Sequence, residues 1–371
     1  MSILSDWPWE PDPDYTRLVA TLRREGDPGH VPFLELGADQ EIVDTVLGER
    51  PFRAEDYKGE REGLKERLDR KIRFYYGLGY DAVLERPIVH IPEPERDTSK
   101  LVADDTAGLS RGKRSWAEEG SGRITSWADF EQYPWPEPGE ADFFALDYMA
   151  DHLPEGMGII ASPFGALQPV MLLMGYEALS FALYDQRDLV QAIFDKVCAL
   201  RVAMAEALVE RDRVIALWLL DDMGFKTSTM ISPADLREFV FPIHRAVAQV
   251  AHDAGMPILL HACGNVEPVM EDLIEDVGFD AKHSFEDAIM PVETFVERFG
   301  DRISAVGGLD VDLLARGTEA QVRGRTRHVL RTCAPSRGYV LGTGNTVANY
   351  IPVDNFLAML DEGWRFNNGV A

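Results

Sequence analysis

The chain of 371 residues is 46% hydrophobic and 27% charged, which supplies a large core and excludes a disordered polymer. Its 37 basic against 63 acidic residues leave a net charge of -26, spread along the chain. That balance excludes nucleic acid and anionic membrane surfaces as partners, since both select basic patches. No run reaches the ~18 consecutive apolar residues of a membrane span. The three scattered cysteines, Cys198, Cys263 and Cys333, are too few for a disulfide framework. An N-terminus without basic and apolar signal regions completes the expectation of a cytoplasmic chain.

In chain order, residues 31–36 and 80–84 each follow a helical stretch and read as strands. Residues 99–138 break the pattern. They are polar and glycine-containing, with Trp116, Trp127, Tyr133 and Trp135 spread through them, and read as an inserted hairpin and loop. Long loops often cover active sites. These aromatics either wall a substrate lid or pin the insert to the body. From 157 onward the alternation is regular. A strand at 157–162 is followed by a helix at 189–209 with apolar residues at helical spacing. The apolar strand 214–220 ends in Asp221-Asp222, and Ser232-Pro233 opens a helix as N-cap and first residue. The strand 257–261, a helix near 267–277, the strand 281–285 and a helix at 292–299 come next. The strand 303–306, a helix at 319–332, the strand 338–341 and a helix at 353–365 close the chain. About eight strands alternating with helices make the repeat of an α/β (β/α)8 TIM barrel, with a doubly wound open sheet as the alternative. No linker rich in Pro, Gly or Ser divides the chain, so residues 1–371 read as one domain.

Barrel active sites lie at the carboxyl ends of the strands. There, His261-Ala262-Cys263 leads into Gly264-Asn265. Residues i and i+2 of an extended chain face the same side, so an imidazole and a thiol reach one rim together, a donor pair suited to zinc. A third ligand is needed. Cys333 precedes Ala334-Pro335 before the final strand begins, which puts it at the opposite rim as a structural residue. Cys198 lies mid-helix on an apolar face. The remaining candidates are Glu286, Asp222, His283 and Asn345, and Glu286, directly after the neighbouring strand, has the best geometric claim. A helix cap or surface carboxylate is the alternative reading of Glu286. Asp222, His261 and Cys263 are the catalytic candidates. Ser162, Asp221, His283, Asp310 and Asn345 are candidates for substrate binding. Only one of two adjacent carboxylates on a strand can face the mouth, so one of Asp221 and Asp222 anchors a loop, with Lys226 as a neutralising cation. Gly307-Gly308 either admits a close approach or makes a tight turn.

The run from Ser162-Pro163-Phe164 to the C-terminus resembles the uroporphyrinogen decarboxylase superfamily. The resemblance rests on Leu172-Leu173-Met174-Gly175-Tyr176-Glu177, Asp221-Asp222-Met223-Gly224, Met230-Ile231-Ser232-Pro233 and Phe239-Val240-Phe241-Pro242. Gly307-Gly308-Leu309-Asp310, Asn345 and Ile351-Pro352-Val353-Asp354-Asn355 extend it. It implies a (β/α)8 barrel with its pocket at the carboxyl end. The decarboxylases of this superfamily carry arginines for substrate carboxylates in an N-terminal stretch, which here is 31–38 and has none. They also carry a histidine in the last strand region, where this chain has Leu341 to Asn345. The other arm, to which the chain is similar, comprises corrinoid-dependent methyltransferases acting on methanol, methylamines, methyl thiols, chloromethane or aryl methyl ethers. Members that methylate coenzyme M hold zinc on a His-x-Cys pair and a distant cysteine. His261 and Cys263 match the pair, and no cysteine stands near Asn345.

The resemblance therefore implies Zn2+ with a harder third ligand and a small O-methylated substrate, possibly an aryl methyl ether. It implies Co(I) of a corrinoid supplied by a separate B12-binding partner protein. The alternative is a metal-independent decarboxylase of a small carboxylic acid on the same barrel, with His261 and Asp222 in acid–base roles.

Overall fold

The computed structural model describes residues 2–88, 101–105, 107, 109, 113–116 and 122–370. Its strands are β1 (Ala82–Glu85), β2 (Leu101–Asp104), β3 (Lys113–Trp116), β4 (Gly158–Ala161), β5 (Val214–Leu220), β6 (Ile258–His261), β7 (Ala281–His283), β8 (Ser304–Val306) and β9 (Tyr339–Val340). β2 and β3 pair antiparallel as a separate hairpin. The other seven form one parallel sheet in the order β1-β4-β5-β6-β7-β8-β9. Neighbours in this sheet are neighbours in sequence once the hairpin is set aside, so the reversal of strand order that defines a doubly wound sheet is absent.

The sheet curls. Side chains from all seven strands, among them Leu84, Ile160, Trp218, Leu259, Ala281, Val306 and Val340, meet in one interior cluster with Leu34. The opposite faces pack against helices, which explains the nearly unbroken apolar runs. The helix Tyr15–Leu22 closes the amino end. Asp14 caps it, and Leu18 and Leu22 enter the interior cluster. Ser304, the first residue of β8, donates through Oγ to the carbonyls of Thr21 and Leu22.

The expected strand at 31–36 is reduced to a single parallel bridge, Phe33 to Leu341 beside β9. Leu341 N–H reaches the Pro32 carbonyl and Leu34 N–H the Leu341 carbonyl. Pro32 has no N–H to offer. The next donor, Thr343 N–H, goes to the side-chain carboxyl of Glu35 instead of a backbone carbonyl. The helix expected near 267–277 forms as a 3-10 turn, Glu267–Val269, and a π-helix, Asp272–Val277. The other elements expected from 157 onward form within a few residues of their predicted bounds.

The insert contains the hairpin and a short helix, Trp127–Gln132. Residues 99–100 and 117–121, with the Trp116 side chain, lie outside the described residues. The Tyr133 and Trp135 rings meet edge to face at 4.7 Å, and Trp135 Nε1 donates to the Phe130 carbonyl. Tyr133 is buried in the main core. Tyr133 and Trp135 thus pin this part of the insert to the body, whereas Trp127 is exposed. Asp105 and Leu109 are tied to the loop beyond β9, where Asn349 Nδ2 donates to Asp105 Oδ2 and to the Leu109 carbonyl. No helix is long and apolar enough to cross a membrane among the described residues.

Candidate metal centre at the carboxyl rim

His261 ends β6, pairing with Leu220 on β5 and with His283 on β7. Two residues beyond these positions, Cys263 and Asp222 stand side by side, and Cys263 N–H donates to Asp222 Oδ1 at 2.8 Å. The crossing of the two loops requires glycine. A Cβ on Gly264 would lie 2.1 Å from the Gly224 carbonyl oxygen, and Gly264 has φ +76. Gly224 N–H to the Cys263 carbonyl and Asn265 N–H to the Phe225 carbonyl then join the loops.

His261 Nε2 lies 3.3 Å from Asp222 Oδ1 and 3.4 Å from Cys263 Sγ. One ligand atom from each of the three residues falls within 4.8 Å of the others. Nitrogen, sulfur and carboxylate oxygen converging at a half-buried rim form a donor set that fits a zinc ion with an open position. Burial pushes the Asp222 carboxyl up, but the His261 hydrogen bond and charge, with the Cys263 amide, outweigh it and hold the group at about 2. Burial, with the Asp222 charge, pushes the Cys263 thiol up to about 11. At neutral pH the sulfur keeps its proton until a cation displaces it. Two donors already point at it, Asn345 Nδ2 at 3.2 Å and Ser284 Oγ at 3.5 Å.

Among the described residues Asp222 is the carboxylate that groups with His261 and Cys263, and Glu286 is not in that group. Glu286 is exposed on the loop after β7, in a turn where Ile289 N–H and Met290 N–H return to its carbonyl. Asp222, two residues beyond β5, lies instead at the level of Cys263, whose amide it accepts. Asp222 Oδ2 accepts from Gln168 Nε2 at 3.0 Å, so its neighbours are His261, Gln168 and the Cys263 amide. Lys226 stays exposed.

The substrate-binding candidates separate. Asn345 stands at the sulfur. Asp221 is fully buried and points away from the mouth. Its carboxylate accepts from the amides of Ala166, Leu167 and Gln168 and from His244 Nε2 at 2.8 Å. It is the loop anchor of the pair. His283 is also fully buried, with Nδ1 2.7 Å from His261 Nδ1 and Nε2 3.1 Å from the Thr343 carbonyl. Burial drives its ring well below the usual histidine range. Asp310 caps the helix Val311–Arg316 and accepts the Asp287 amide. Ser162 is buried and accepts the Phe164 amide. Cys333 is buried in the last turn of its helix, before β9, with its thiol pushed up to about 12. Cys198 is half-buried in the helix Arg187–Val209 and packs against the core.

Sequence reasoning overlooked Ser284, Gln168, Glu35 and Lys282. Ser284 follows His283 directly, a position that could have been noticed. Gln168 lies 54 residues from Asp222, with nothing local to link them. Lys282 is buried and donates to the Ser284 carbonyl. Burial lowers its ammonium to about 8.

Residues 121–364 match the family described as uroporphyrinogen decarboxylase (URO-D). A methylated-thiol–coenzyme M methyltransferase from Methanosarcina mazei is 34% identical over 133 residues, 36% of this chain and 33% of that protein. The match thus spans about a third of that relative's length. A uroporphyrinogen decarboxylase from Anaeromyxobacter dehalogenans is 22% identical over 307 residues, 78% of this chain and 82% of that protein. The solved structure of a methyltransferase from Methanosarcina mazei superposes with a TM-score of 0.69 at 18% identity, covering 95% of this chain and 98% of that one, a likeness of fold. The family match covers well over half of the chain, and the protein belongs to the uroporphyrinogen decarboxylase family.

Proposed function

We propose that this protein is a zinc-dependent methyltransferase of O-demethylase type. In this reading the methyl group of a small O-methylated substrate, such as an aryl methyl ether, passes to Co(I) of a corrinoid carried by a separate protein. The observation that carries it is the convergence of Asp222, His261 and Cys263 at one rim. The reading treats the sheet, with 31–36 as its eighth member, as a closed barrel whose mouth is at that rim.

Asp222 Oδ1, His261 Nε2 and Cys263 Sγ would hold the ion. Zinc bound there supplies a Lewis acid that polarises the ether oxygen and stabilises the departing oxyanion. Asn345 and Ser284 hold the sulfur, and Gln168 holds the outer oxygen of Asp222. Before the ion enters, the buried Cys263 thiol keeps its proton, and that proton leaves on loading. A carboxylate in place of a second thiolate makes the ion less electron-rich. That supports oxygen-linked methyl groups over the thiol substrate named for the Methanosarcina relative. The broad match to decarboxylases supports one rival, metal-independent removal of carbon dioxide from a small acid.

The test combines zinc analysis of the purified protein with methyl-transfer assays to cob(I)alamin from guaiacol, methanol and dimethyl sulfide. Stoichiometric zinc, its loss in Cys263→Ala, and transfer from guaiacol are expected. Transfer from dimethyl sulfide alone would move the assignment to thiols. A zinc-free protein whose activity survives Cys263→Ala would favour the decarboxylase.

A further inference from the structure

We infer that Arg86, seated beside the ring of Phe164 at the carboxyl rim, binds an anionic group at the far end of the substrate, so that the O-methylated molecule is a carboxylate. The inference rests on the proposed methyltransferase reading and adds the chemical class of its substrate.

Side chains on β1 alternate. Ala82 and Leu84 enter the interior cluster, and Val83 packs in the outer core. Glu85 turns outward to Lys71 Nζ at 3.0 Å. Arg86 precedes Pro87, and a residue before proline is held extended. The alternation therefore runs on through Arg86, which joins the inward row above Leu84. Asp222 and Cys263 stand in the same way two residues beyond Leu220 and His261, the ends of β5 and β6. In the sheet β1 lies two strands from β5 and three from β6. The cation and the donor triad thus share one rim from separate positions, as the two ends of one small molecule require.

Most arginines of this acidic chain pair with a carboxylate. Arg86 is exposed and pairs with none among the described residues, and its neighbour Glu85 is taken by Lys71. Its Cζ lies instead 5.8 Å from the centre of the Phe164 ring. A ring attracts a guanidinium without occupying its N–H donors, and that planar fork matches a carboxylate bidentately. The net charge of -26 disfavours the approach of an acid, so an acidic substrate needs a cation at the point of binding.

Phe164 is held in place against its backbone preference. Its φ is +67, a region that a bulky residue rarely enters. Ser162 Oγ accepts its N–H at 3.1 Å, Arg201 Nε donates to the Gly165 carbonyl, and Asp221 takes the next three amides. A Cβ on Gly165 would lie 2.3 Å from the Leu220 carbonyl oxygen, so the loop rests directly on the end of β5. Strain persists where the surroundings over-determine it, and such positions gather at ligand sites.

The experiment compares 3- and 4-methoxybenzoate with the corresponding amides, which match them in shape and lack the charge. Calorimetry on the purified full chain reads binding, and transfer to cob(I)alamin reads turnover. The parent should bind one of the acids roughly tenfold or more tightly than its amide. Arg86→Met should erase that advantage by weakening the acid alone, and Arg86→Lys should restore only part of it. In turnover, KM for the acid should rise more than kcat falls. Arg86 is exposed, so neither substitution disturbs the core. Arg331→Met removes an exposed cation from the last turn of the helix before β9, and should leave both ligands unaffected. A parent that binds neither acid, or binds acid and amide alike, would overturn the inference, as would equal weakening of both by Arg86→Met. Binding of the acid that depends on Arg86, without methyl transfer from any ether, would instead overturn the methyltransferase reading and leave the anion site standing.

Discussion

Two carboxylates compete for one place in the donor set, and their substitution separates them. Asp222→Asn removes an anion from contact with His261 and Cys263. It should weaken zinc binding by more than the roughly 100-fold ascribed to loss of a supporting residue. Glu286→Gln should leave the constant unchanged, because that group is exposed and outside the donor group found among the described residues. Equal losses in a chelator competition would defeat the assignment. The sequence made His261 and Cys263 legible because strand alternation alone puts both on one face. It also placed Asn345 near them. It favoured Glu286 over Asp222 because adjacency to the next strand does not reveal which way a loop turns.

Glu35 carries a pH signature. Burial raises its carboxyl from 4.5 to about 8, against the hydrogen bonds from Thr343 and Tyr80. The folded state therefore holds a proton that the unfolded state releases above about pH 4.5. Stability from this group is fully present below that pH and declines as pH rises toward 8, at up to ~1.4 kcal/mol per pH unit. Glu35→Gln imitates the neutral acid and should flatten that decline. Urea unfolding between pH 5 and 9 reads the difference, and parallel curves for the two proteins would refute it. Asp81, raised by burial to about 7, tilts both curves in the same sense, so the comparison isolates Glu35.

At the scale of elements, the helix Leu167–Met174 hangs from β5 through one side chain. Asp221 receives the amides of Ala166, Leu167 and Gln168 together with His244. Arg201, also buried, bonds the Gly165 carbonyl. Asp221→Ala leaves these donors unpaired and should cost about 3–5 kcal/mol in denaturant unfolding. A cost below about 1 kcal/mol, the range of an exposed cap, would show that the network is dispensable. Because Gln168 also reaches Asp222, the same substitution should weaken zinc binding. Most strands and helices after 157 were legible because apolar runs alternate with amphipathic ones. The 31–36 strand was overread, since its apolar pattern hides that Glu35 takes the Thr343 amide.

Across the whole molecule, the two ends of the sheet have separate duties. The helix Tyr15–Leu22 fills the amino end with Leu18 and Leu22, both fully buried, and the donor triad occupies the carboxyl end. Leu18→Ala should lower stability by about 2–5 kcal/mol without changing zinc affinity, as expected of sites that share no partners. Thermal melts and metal titration check the two halves independently, and a coupled loss would contradict the separation. The α/β class, with its parallel sheet in chain order, was legible from the repeat of elements. The covering of the sheet's amino end by an N-terminal helix was not, because an amphipathic helix does not announce which surface it will cover.

The backbone clasp between Gly224 and Gly264 has a further consequence for how this scaffold can diversify. Asp222 and Cys263 sit on two loops joined to each other by backbone hydrogen bonds, while the segments after β7 and β9 reach Cys263 only through the side chains of Ser284 and Asn345. Residues 286–290 and 346–351 can therefore be exchanged to admit a differently shaped molecule while Asp222 and Cys263 stay put. Loop grafting at those two segments is the natural place to redirect this protein, and the clasp is the part to leave alone.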